Sequence, residues 1–220
     1  MIIALEGIDN SGKTTIAKRL ERDLVSKDYN VIISKELTSD VGKLLINKLK
    51  NKNVSSICKA YLFAADRQLR LEELGFEMVL PAACNQNGLS NTHRISEDCK
   101  TIYIFDRYVY SAIAYRESEG LDASWVEELN RFAPNADLNV YIDITPEESI
   151  ERNSDKKFNI KYTLKQLELV RDCYLRYVKS GSMLYVDGMR NEDDVYEDVK
   201  TRILDLVLSK MISKESYDEI

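Results

Sequence analysis

The sequence predicts an α/β protein with a five-stranded parallel sheet and helices on both faces. Five short runs rich in β-branched and aromatic residues alternate with longer stretches whose apolar residues recur at helical spacing. This alternation is typical of strand–helix–strand units. Only three prolines and eight glycines occur in the 220 residues, so long regular elements are expected. The length suits one domain that spans residues 1–220.

The predicted strands are short and almost purely apolar. Such runs are typical of parallel strands that are buried on both faces. The strands are predicted at Ile2–Leu5, Val31–Ile33, Thr101–Phe105, Leu138–Ile142 and Met183–Val186. Acidic residues stand at or just past the strand ends, where parallel sheets place their ligand sites, so we expect a shared site at that edge. These residues are Glu6, Glu36, Asp106, Asp143 and Asp187.

Helical patterns fill the stretches between the strands. The helices are predicted at Lys13–Lys27, Val54–Cys84, Val126–Phe132, Tyr162–Val178 and Val195–Met211. A further helix is expected to begin at Pro146, because proline at the first helical position followed by glutamates favours a helix start. Residues 85–100 contain the asparagine, glycine and serine that are typical of loops, which predicts a surface insert.

Composition and charge exclude several classes of protein. The 31 basic and 37 acidic residues give a net charge of −6, which argues against a broad nucleic-acid-binding face. No stretch approaches the run of about 18 apolar residues that a membrane span needs. The first residues carry no signal-peptide pattern, so we expect a cytoplasmic protein with no membrane partner. Four cysteines without a Cys-x-x-Cys pair, and a single histidine, His93, argue against zinc and His-rich metal sites.

The strongest motif is a glycine-rich loop between the first strand and the first helix. Residues Gly7 to Thr14 read Gly-Ile-Asp-Asn-Ser-Gly-Lys-Thr, which fits G-x4-G-K-[ST] in full. In this context the backbone N–H groups converge on one anion, and the lysine reaches the terminal phosphates of a nucleoside triphosphate. The full motif disfavours a chance glycine turn. The residues predicted to bind the triphosphate are Gly7, Asn10, Ser11, Gly12, Lys13, Thr14 and Thr15.

Four further strings narrow the activity. They begin at Lys35-Glu36-Leu37, Leu62-Phe63-Ala64, Asp106-Arg107-Tyr108 and Arg131-Phe132-Ala133. Together with Asp9 inside the loop, their order and spacing resemble those of thymidylate kinases, most closely the archaeal branch, over about residues 2–206. The resemblance implies a P-loop kinase that transfers the γ-phosphoryl group of ATP to dTMP, giving dTDP and ADP for dTTP synthesis. It also implies a homodimer that packs through helices.

The resemblance implies an acceptor site for dTMP. Asp9 would bond the sugar 3′-hydroxyl, which a carboxylate does through a charge-assisted hydrogen bond. Phe63 would stack on thymine and Arg67, four residues later on the same helix face, would bond a base carbonyl. Arg107 would grip the acceptor phosphate as a fork, and Tyr115 would pack against the sugar. The acceptor residues implied in this way are Asp9, Lys35, Glu36, Phe63, Arg67, Arg107, Ser111 and Tyr115. An ordinary core phenylalanine with a solvated arginine, and a loop-stiffening Asp9, are the plainer alternatives.

The resemblance also implies a donor site for ATP with Mg²⁺. Thr14 and Asp106 would hold the metal, and a lid at residues 152–160, with Arg152, Lys156 and Lys157, would close over the phosphates. Arg190 matches an adenine-contacting loop. The catalytic residues implied are Lys13, Arg107, Arg152 and Asp106. No general base is needed because the acceptor phosphate oxygen is already ionised at neutral pH.

The sequence departs from the family pattern at several positions. Lys35 stands where an arginine is usual, Leu37 where a proline is usual, and Arg116 where glutamine is common. Asn10 replaces an arginine that some members carry in the loop, and the lid is poor in arginine. We expect activity. These departures leave open a related pyrimidine monophosphate or deoxynucleoside kinase, and a non-catalytic ATP-binding sensor.

The insert carries a separate hypothesis. Cys84 and Cys99 flank it, and a disulfide between them is a lesser alternative to a plain solvated loop.

Overall fold

The computed structural model describes residues 1–50, 54–78, 93–94, 101–152 and 162–218. Within these ranges the strands are β1 (Ile2–Glu6), β2 (Asn30–Lys35), β3 (Glu77–Met78), β4 (His93–Arg94), β5 (Thr101–Asp106), β6 (Leu138–Asp143) and β7 (Leu184–Asp187). The helices are α1 (Lys13–Val25), α2 (Asp40–Lys50), α3 (Ser56–Glu73), α4 (Val109–Ser118), α5 (Ala123–Leu129), α6 (Pro146–Glu151), α7 (Leu164–Lys179) and α8 (Glu192–Asp218).

The central sheet is parallel throughout and confirms the predicted architecture. Its strand order is β2-β5-β1-β6-β7. Because side chains alternate along a strand, Ile3 and Leu5 pack with α1 and α8 on one face. Ile2 and Ala4 point to the other face, where they pack with Leu71 of α3. Helices therefore cover both faces, which is why every residue of β1 is buried.

The helix predicted over Val54–Cys84 is too long. Helix α3 ends at Glu73, and the chain turns through Gly75, whose φ of +79° is the left-handed conformation that glycine adopts without strain. Strand β3 follows and pairs antiparallel with β4, so residues 93 and 94 of the predicted insert form a strand. The rest of the insert, including Cys84 and Cys99, lies outside the described residues, so the insert and the disulfide stay predictions.

The other predicted helices begin close to the predicted positions, and α6 and α7 carry recognisable caps, whereas α4 was not predicted. Thr145 accepts a hydrogen bond from the backbone N–H of Glu148 at 3.2 Å, with Pro146 in the first turn. Thr163 and Gln166 form a reciprocal capping box at the start of α7. Helix α2 was not predicted, since it buries only Gly42 and Leu45 and is otherwise rich in lysine.

The strand order determines where a ligand site can form. Strands β2, β5 and β1 are neighbours, so their carboxyl ends bring Lys35, Asp106 and the loop after Glu6 to one edge. In the ranges that the structure describes, no helix combines the length and the apolar character that a membrane span requires.

Candidate active site

The phosphate loop has the backbone that its motif predicts. At Gly7 φ is +147°, and an added Cβ would lie 2.5 Å from the carbonyl oxygen of Ile142, so a side chain has no room there. Lys13 bends over the loop, where its Nζ donates to the carbonyl of Ile8 at 2.6 Å and to Ser11 Oγ at 2.9 Å. Burial, and next to it the positive charge of Arg107, lower the pKa of Lys13 to about 7. The lysine is thus poised to gain an anionic partner.

Helix α6 braces the loop from the side. Ser149 Oγ donates to the carbonyl of Asp9 at 2.7 Å, and the Asn10 side-chain amide donates to the carbonyl of Ser149 at 2.9 Å. Asn10 has φ +62°, a conformation that asparagine tolerates better than most residues. Sequence analysis missed Ser149, since nothing in the sequence marks it.

Arg152 joins the loop to the segment after β7. Its guanidinium lies 3.4 Å from the carbonyl of Asn10 and 3.3 Å from that of Gly188, and it donates to Glu148 at 2.6 Å. The predicted lid continues into residues 153–160, which lie outside the described residues. The lid and its lysines therefore stay predictions.

The corner predicted to hold a metal contains a hydroxyl and a carboxylate in direct contact. Thr14 Oγ1 donates to Asp106 Oδ2 at 2.5 Å, and Lys35 Nζ lies 4.0 Å from the same carboxylate oxygen. Mg²⁺ prefers oxygen ligands, keeps several waters and takes one or two protein ligands. The pair fits such a hydrated ion. In the described part of the chain, no cluster of three or more His, Cys, Asp or Glu side chains is arranged to hold a metal.

Arg107 connects the phosphate loop with the rest of the site. Its guanidinium donates to the carbonyl of Gly7 at 2.9 Å and to Asp9 Oδ1 at 2.5 Å, and it lies 5.0 Å from the ring centre of Tyr115. Its backbone has φ +75°, which is uncommon for a residue with a side chain. A hydrogen bond from its backbone N–H to Leu5 at 3.0 Å holds it there, so the fold enforces this position.

Glu6 supports the start of α4 from below the site. Its carboxylate accepts hydrogen bonds from the backbone N–H groups of Tyr108 and Ser111, at 3.0 and 3.2 Å, and from the Ser111 hydroxyl. These N–H groups belong to the helix start, where a carboxylate is a favourable partner. Burial raises the pKa of Glu6, and the hydrogen bond from Ser111 opposes that rise.

The expectation that five strand-end carboxylates share one site is wrong. Asp143 is paired with Arg171 through two hydrogen bonds of 2.8 Å. Asp187 accepts from the backbone N–H of Met189 at 2.9 Å and so shapes a turn. Of the five strand-end carboxylates, Glu36 and Asp106 are the two that line the cavity described next. Strands β6 and β7 lie on the far side of β1, which is why their carboxylates serve other contacts.

A cavity of about 580 Å³ opens at this edge. It brings together most of the residues that sequence analysis singled out. The predicted residues that line it are Asp9, Asn10, Gly12, Lys13, Thr14, Thr15, Lys35, Glu36, Phe63, Asp106, Arg107, Ser111, Tyr115 and Arg152. Gly7, Ser11, Arg67 and Arg190 are not among the lining residues. Arg190 bonds the Asp187 carbonyl at 3.2 Å and pairs with Asp198 of α8.

Arg67 is buried behind the cavity. Its side chain is 1% exposed, and it donates to Glu36 at 2.7 Å, to the carbonyl of Tyr108 at 3.0 Å and to the amide oxygen of Asn130. Asn130 in turn donates to the carbonyl of Val126 at 2.7 Å. The arginine therefore connects three elements. Sequence analysis placed Arg67 on the face of Phe63 but could not see Asn130, since the two are far apart in the chain.

The loop after β2 is held by a buried aspartate. Asp66 accepts hydrogen bonds from the backbone N–H of Leu37 at 2.9 Å and from the Ser39 hydroxyl at 2.7 Å. Leu37 has φ +66°. Proline fixes φ near −65°, so a proline at this position could not adopt this backbone. Leucine is therefore compatible with the observed conformation of the loop that presents Lys35 and Glu36.

Seven further lining residues come from outside the predicted set, and two of them adjoin its aromatic residues. Tyr162 packs its ring 4.9 Å from that of Tyr115, and Arg116 lies beside Phe63. Tyr162 carries no signal in the sequence that could have identified it. Arg116 was marked only as a departure from the family pattern.

The site combines a phosphate loop, the adjoining Thr14–Asp106 contact and an aromatic half of the cavity, which is lined by Phe63, Tyr115 and Tyr162. Set on a parallel sheet of this strand order, these features define a P-loop nucleotide kinase. The family model described as Thymidylate kinase matches residues 5–199. The chain belongs to the thymidylate kinase family, which confirms the resemblance found in its motifs.

Curated relatives can be aligned with this chain over nearly their whole length. The chain is 34% identical to Probable thymidylate kinase 1 of Saccharolobus solfataricus, over 89% of this chain and 93% of the relative. It is also 34% identical to Probable thymidylate kinase of Pyrococcus abyssi, over 90% of this chain and 92% of the relative. A third relative, from Sulfurisphaera tokodaii, is 31% identical over 93% of this chain and 96% of the relative.

Proposed function

We propose that this chain transfers the γ-phosphoryl group of ATP to dTMP and releases dTDP and ADP. One observation carries the proposal: Arg107 contacts the phosphate loop through Gly7 and Asp9 and the aromatic half through Tyr115. A cation in that place can bring two phosphate groups together. Family membership supports this reaction over a non-catalytic ATP sensor, and over a kinase that acts on another pyrimidine monophosphate or a deoxynucleoside.

The cavity supplies what phosphoryl transfer requires. Both substrates are anions, and the reaction needs them to be aligned and their charge neutralised rather than covalent help. The cationic side chains that line the cavity and serve this purpose are Lys13, Lys35, Arg107 and Arg152. Bound Mg²⁺, held by Thr14 and Asp106, would neutralise phosphate charge. The acceptor phosphate is ionised at neutral pH, so the chain needs no general base.

The proposal is tested by a panel of acceptors. The purified protein is incubated with ATP and Mg²⁺ and with each nucleoside monophosphate separately, and the diphosphate formed is measured. We expect a strong preference for dTMP, with no transfer once Mg²⁺ is removed by a chelator. Preference for another monophosphate would retain the mechanism and change the substrate. Binding of ATP without transfer to any acceptor would contradict the proposal and favour the sensor.

We expect Lys13 to take up a proton from the buffer when ATP binds near neutral pH. The Lys13 pKa of about 7 in the free protein rises again when phosphates surround the amine. The affinity for ATP is therefore highest below about pH 7. It declines as pH rises through that value, by up to about tenfold per pH unit. Calorimetry near pH 8, in two buffers of different ionisation enthalpy, measures the uptake, which should approach about one proton.

Lys13→Arg provides the control for this measurement. Arginine keeps its charge throughout the accessible pH range, so its ATP complex should form without proton uptake. Equal heats in the two buffers with the unchanged protein would contradict the expectation.

The assembly and location are proposals of the same kind. Helix α3 exposes Ile57 and Tyr61, which are 53% and 54% exposed, together with Ala65 and Leu69. These four residues are spaced by four and form one apolar stripe on the helix. The stripe supports a homodimer through α3, and light scattering of the purified protein would measure it. A cytoplasmic location accords with the reaction.

A further inference from the structure

Arg116 lines the cavity, and its buried guanidinium makes no hydrogen bond to the described part of the chain. The side chain is 2% exposed, and it donates to no residue that the structure describes. Glu119 Oε2 lies 3.1 Å from its Nη1, but the geometry is that of an ion pair alone. Buried polar groups are hydrogen-bonded in the great majority of cases. A buried guanidinium with unpaired N–H groups at a cavity wall therefore indicates a ligand that accepts hydrogen bonds from it.

The neighbours of Arg116 point to a base. Its guanidinium carbon lies 5.3 Å from the ring centre of Phe63, the aromatic residue predicted to stack on the base. Tyr115 and Tyr162 form the adjoining wall. The hydrogen-bond donors of Arg116 thus lie beside the aromatic side chains of the cavity rather than beside the phosphate loop.

Arg67 is less suited to this task. Its two terminal nitrogens already bond Glu36, Tyr108 and Asn130. Its Nε has no partner, but Arg67 is not among the residues that line the cavity.

A second ion pair, between Lys59 and Glu119, holds the carboxylate that faces Arg116. Lys59 of α3 donates to Glu119 Oε1 at 2.8 Å, while Glu119 Oε2 faces Arg116. Both charges of the Lys59–Glu119 pair are largely buried, so their mutual attraction is weakly screened. The carboxylate therefore fixes the guanidinium without satisfying its hydrogen-bond donors.

We propose that Arg116 selects the base, by donating a hydrogen bond to the C4 carbonyl oxygen of the pyrimidine that stacks on Phe63, and that Glu119 and Lys59 are positioning residues. The inference rests on the proposed function. Arginine only donates hydrogen bonds, so it pairs with the keto edge of thymine or uracil. Cytosine has an amino group in place of this carbonyl. The amino group and the guanidinium would then face each other as two donors without an acceptor, which is costly in a buried site.

The test compares dTMP, dUMP and dCMP as acceptors and as ligands. Both kcat/KM and the dissociation constant are measured for the wild type and for Arg116→Met. We expect Arg116→Met to weaken dTMP and dUMP by about 10- to 100-fold and to leave dCMP nearly unchanged. Glu119→Gln should reduce the same preference less. Arg116→Lys, which keeps a donor and a charge, should retain more of it than the methionine variant.

Two controls separate base selection from general damage. Arg176→Met removes another arginine that pairs with a glutamate of α4, Glu117, but lies outside the cavity lining, so it should leave all three nucleotides unaffected. The ATP dissociation constant of each variant reports whether the proposed ATP site is intact.

A uniform loss for the three acceptors, or an unchanged ratio between dTMP and dCMP, would overturn the role of Arg116. An unchanged ratio is also the result expected if its donors only bind water. If the wild type transfers no phosphoryl group to dTMP, the proposed function fails. The ratio of dissociation constants then still tests Arg116.

Discussion

Replacing Lys13 with alanine is expected to lower kcat for phosphoryl transfer by about 10³-fold. Lys13 is the buried cation of the phosphate loop, and its Nζ bonds Ile8 and Ser11 of the same loop. Without it, the charge that develops on the transferred group has no partner at this position. The protein should stay folded, because burial already disfavours the charged amine and its contacts are local. Steady-state kinetics with dTMP and thermal unfolding measure the two effects.

Lys18→Ala is the matched control for that variant. Lys18 is an exposed lysine of the same helix, α1, so its removal should change neither turnover nor stability appreciably. Near-normal turnover of Lys13→Ala would refute the assignment of the phosphate loop.

Replacing Arg107 with methionine is expected to reduce kcat/KM for dTMP by about 10³-fold. The guanidinium bonds Gly7 and Asp9 and lies against Tyr115, so both halves of the cavity lose a common cation. Arg107→Lys should recover part of the loss, because lysine keeps the charge but cannot form the fork. Kinetics with dTMP varied at saturating ATP separate the effect on KM from that on kcat.

Arg131→Met provides the comparison for Arg107. Arg131 is an exposed arginine that pairs with Glu128 at 2.5 Å and does not line the cavity, so its removal should leave kcat/KM unchanged. A value of kcat/KM for Arg107→Met within tenfold of the wild type would contradict a role in joining the two substrates.

Local patterns were enough to predict the sheet and the phosphate loop. The five predicted strands all occur, because continuous apolar runs report burial directly. The phosphate loop lies within eight consecutive residues, Gly7 to Thr14, and its geometry depends on its own backbone. The helix over Val54–Cys84 was overextended, since an apolar pattern alone did not reveal the turn at Gly75.

Resemblance added the residues that are proposed to bind the acceptor but not their surroundings. It selected Phe63, Arg107 and Tyr115, and the structure brings all three to the cavity. It also selected Arg67, which the fold uses to join Glu36, Tyr108 and Asn130. Helical spacing shows which residues share a face, but not what packs against that face.

Sequence patterns alone were sufficient to identify the parallel sheet, the phosphate loop and the family. Which of the buried arginines with unpaired donors reaches the cavity depends on the tertiary structure, and among Arg67, Arg70 and Arg116 it is Arg116. Arg67 meets partners from three other segments, whereas Arg116 meets a carboxylate that leaves its donors unbonded. The reason is that hydrogen-bond partners of a buried side chain come from segments far apart in the chain, so no local pattern encodes them.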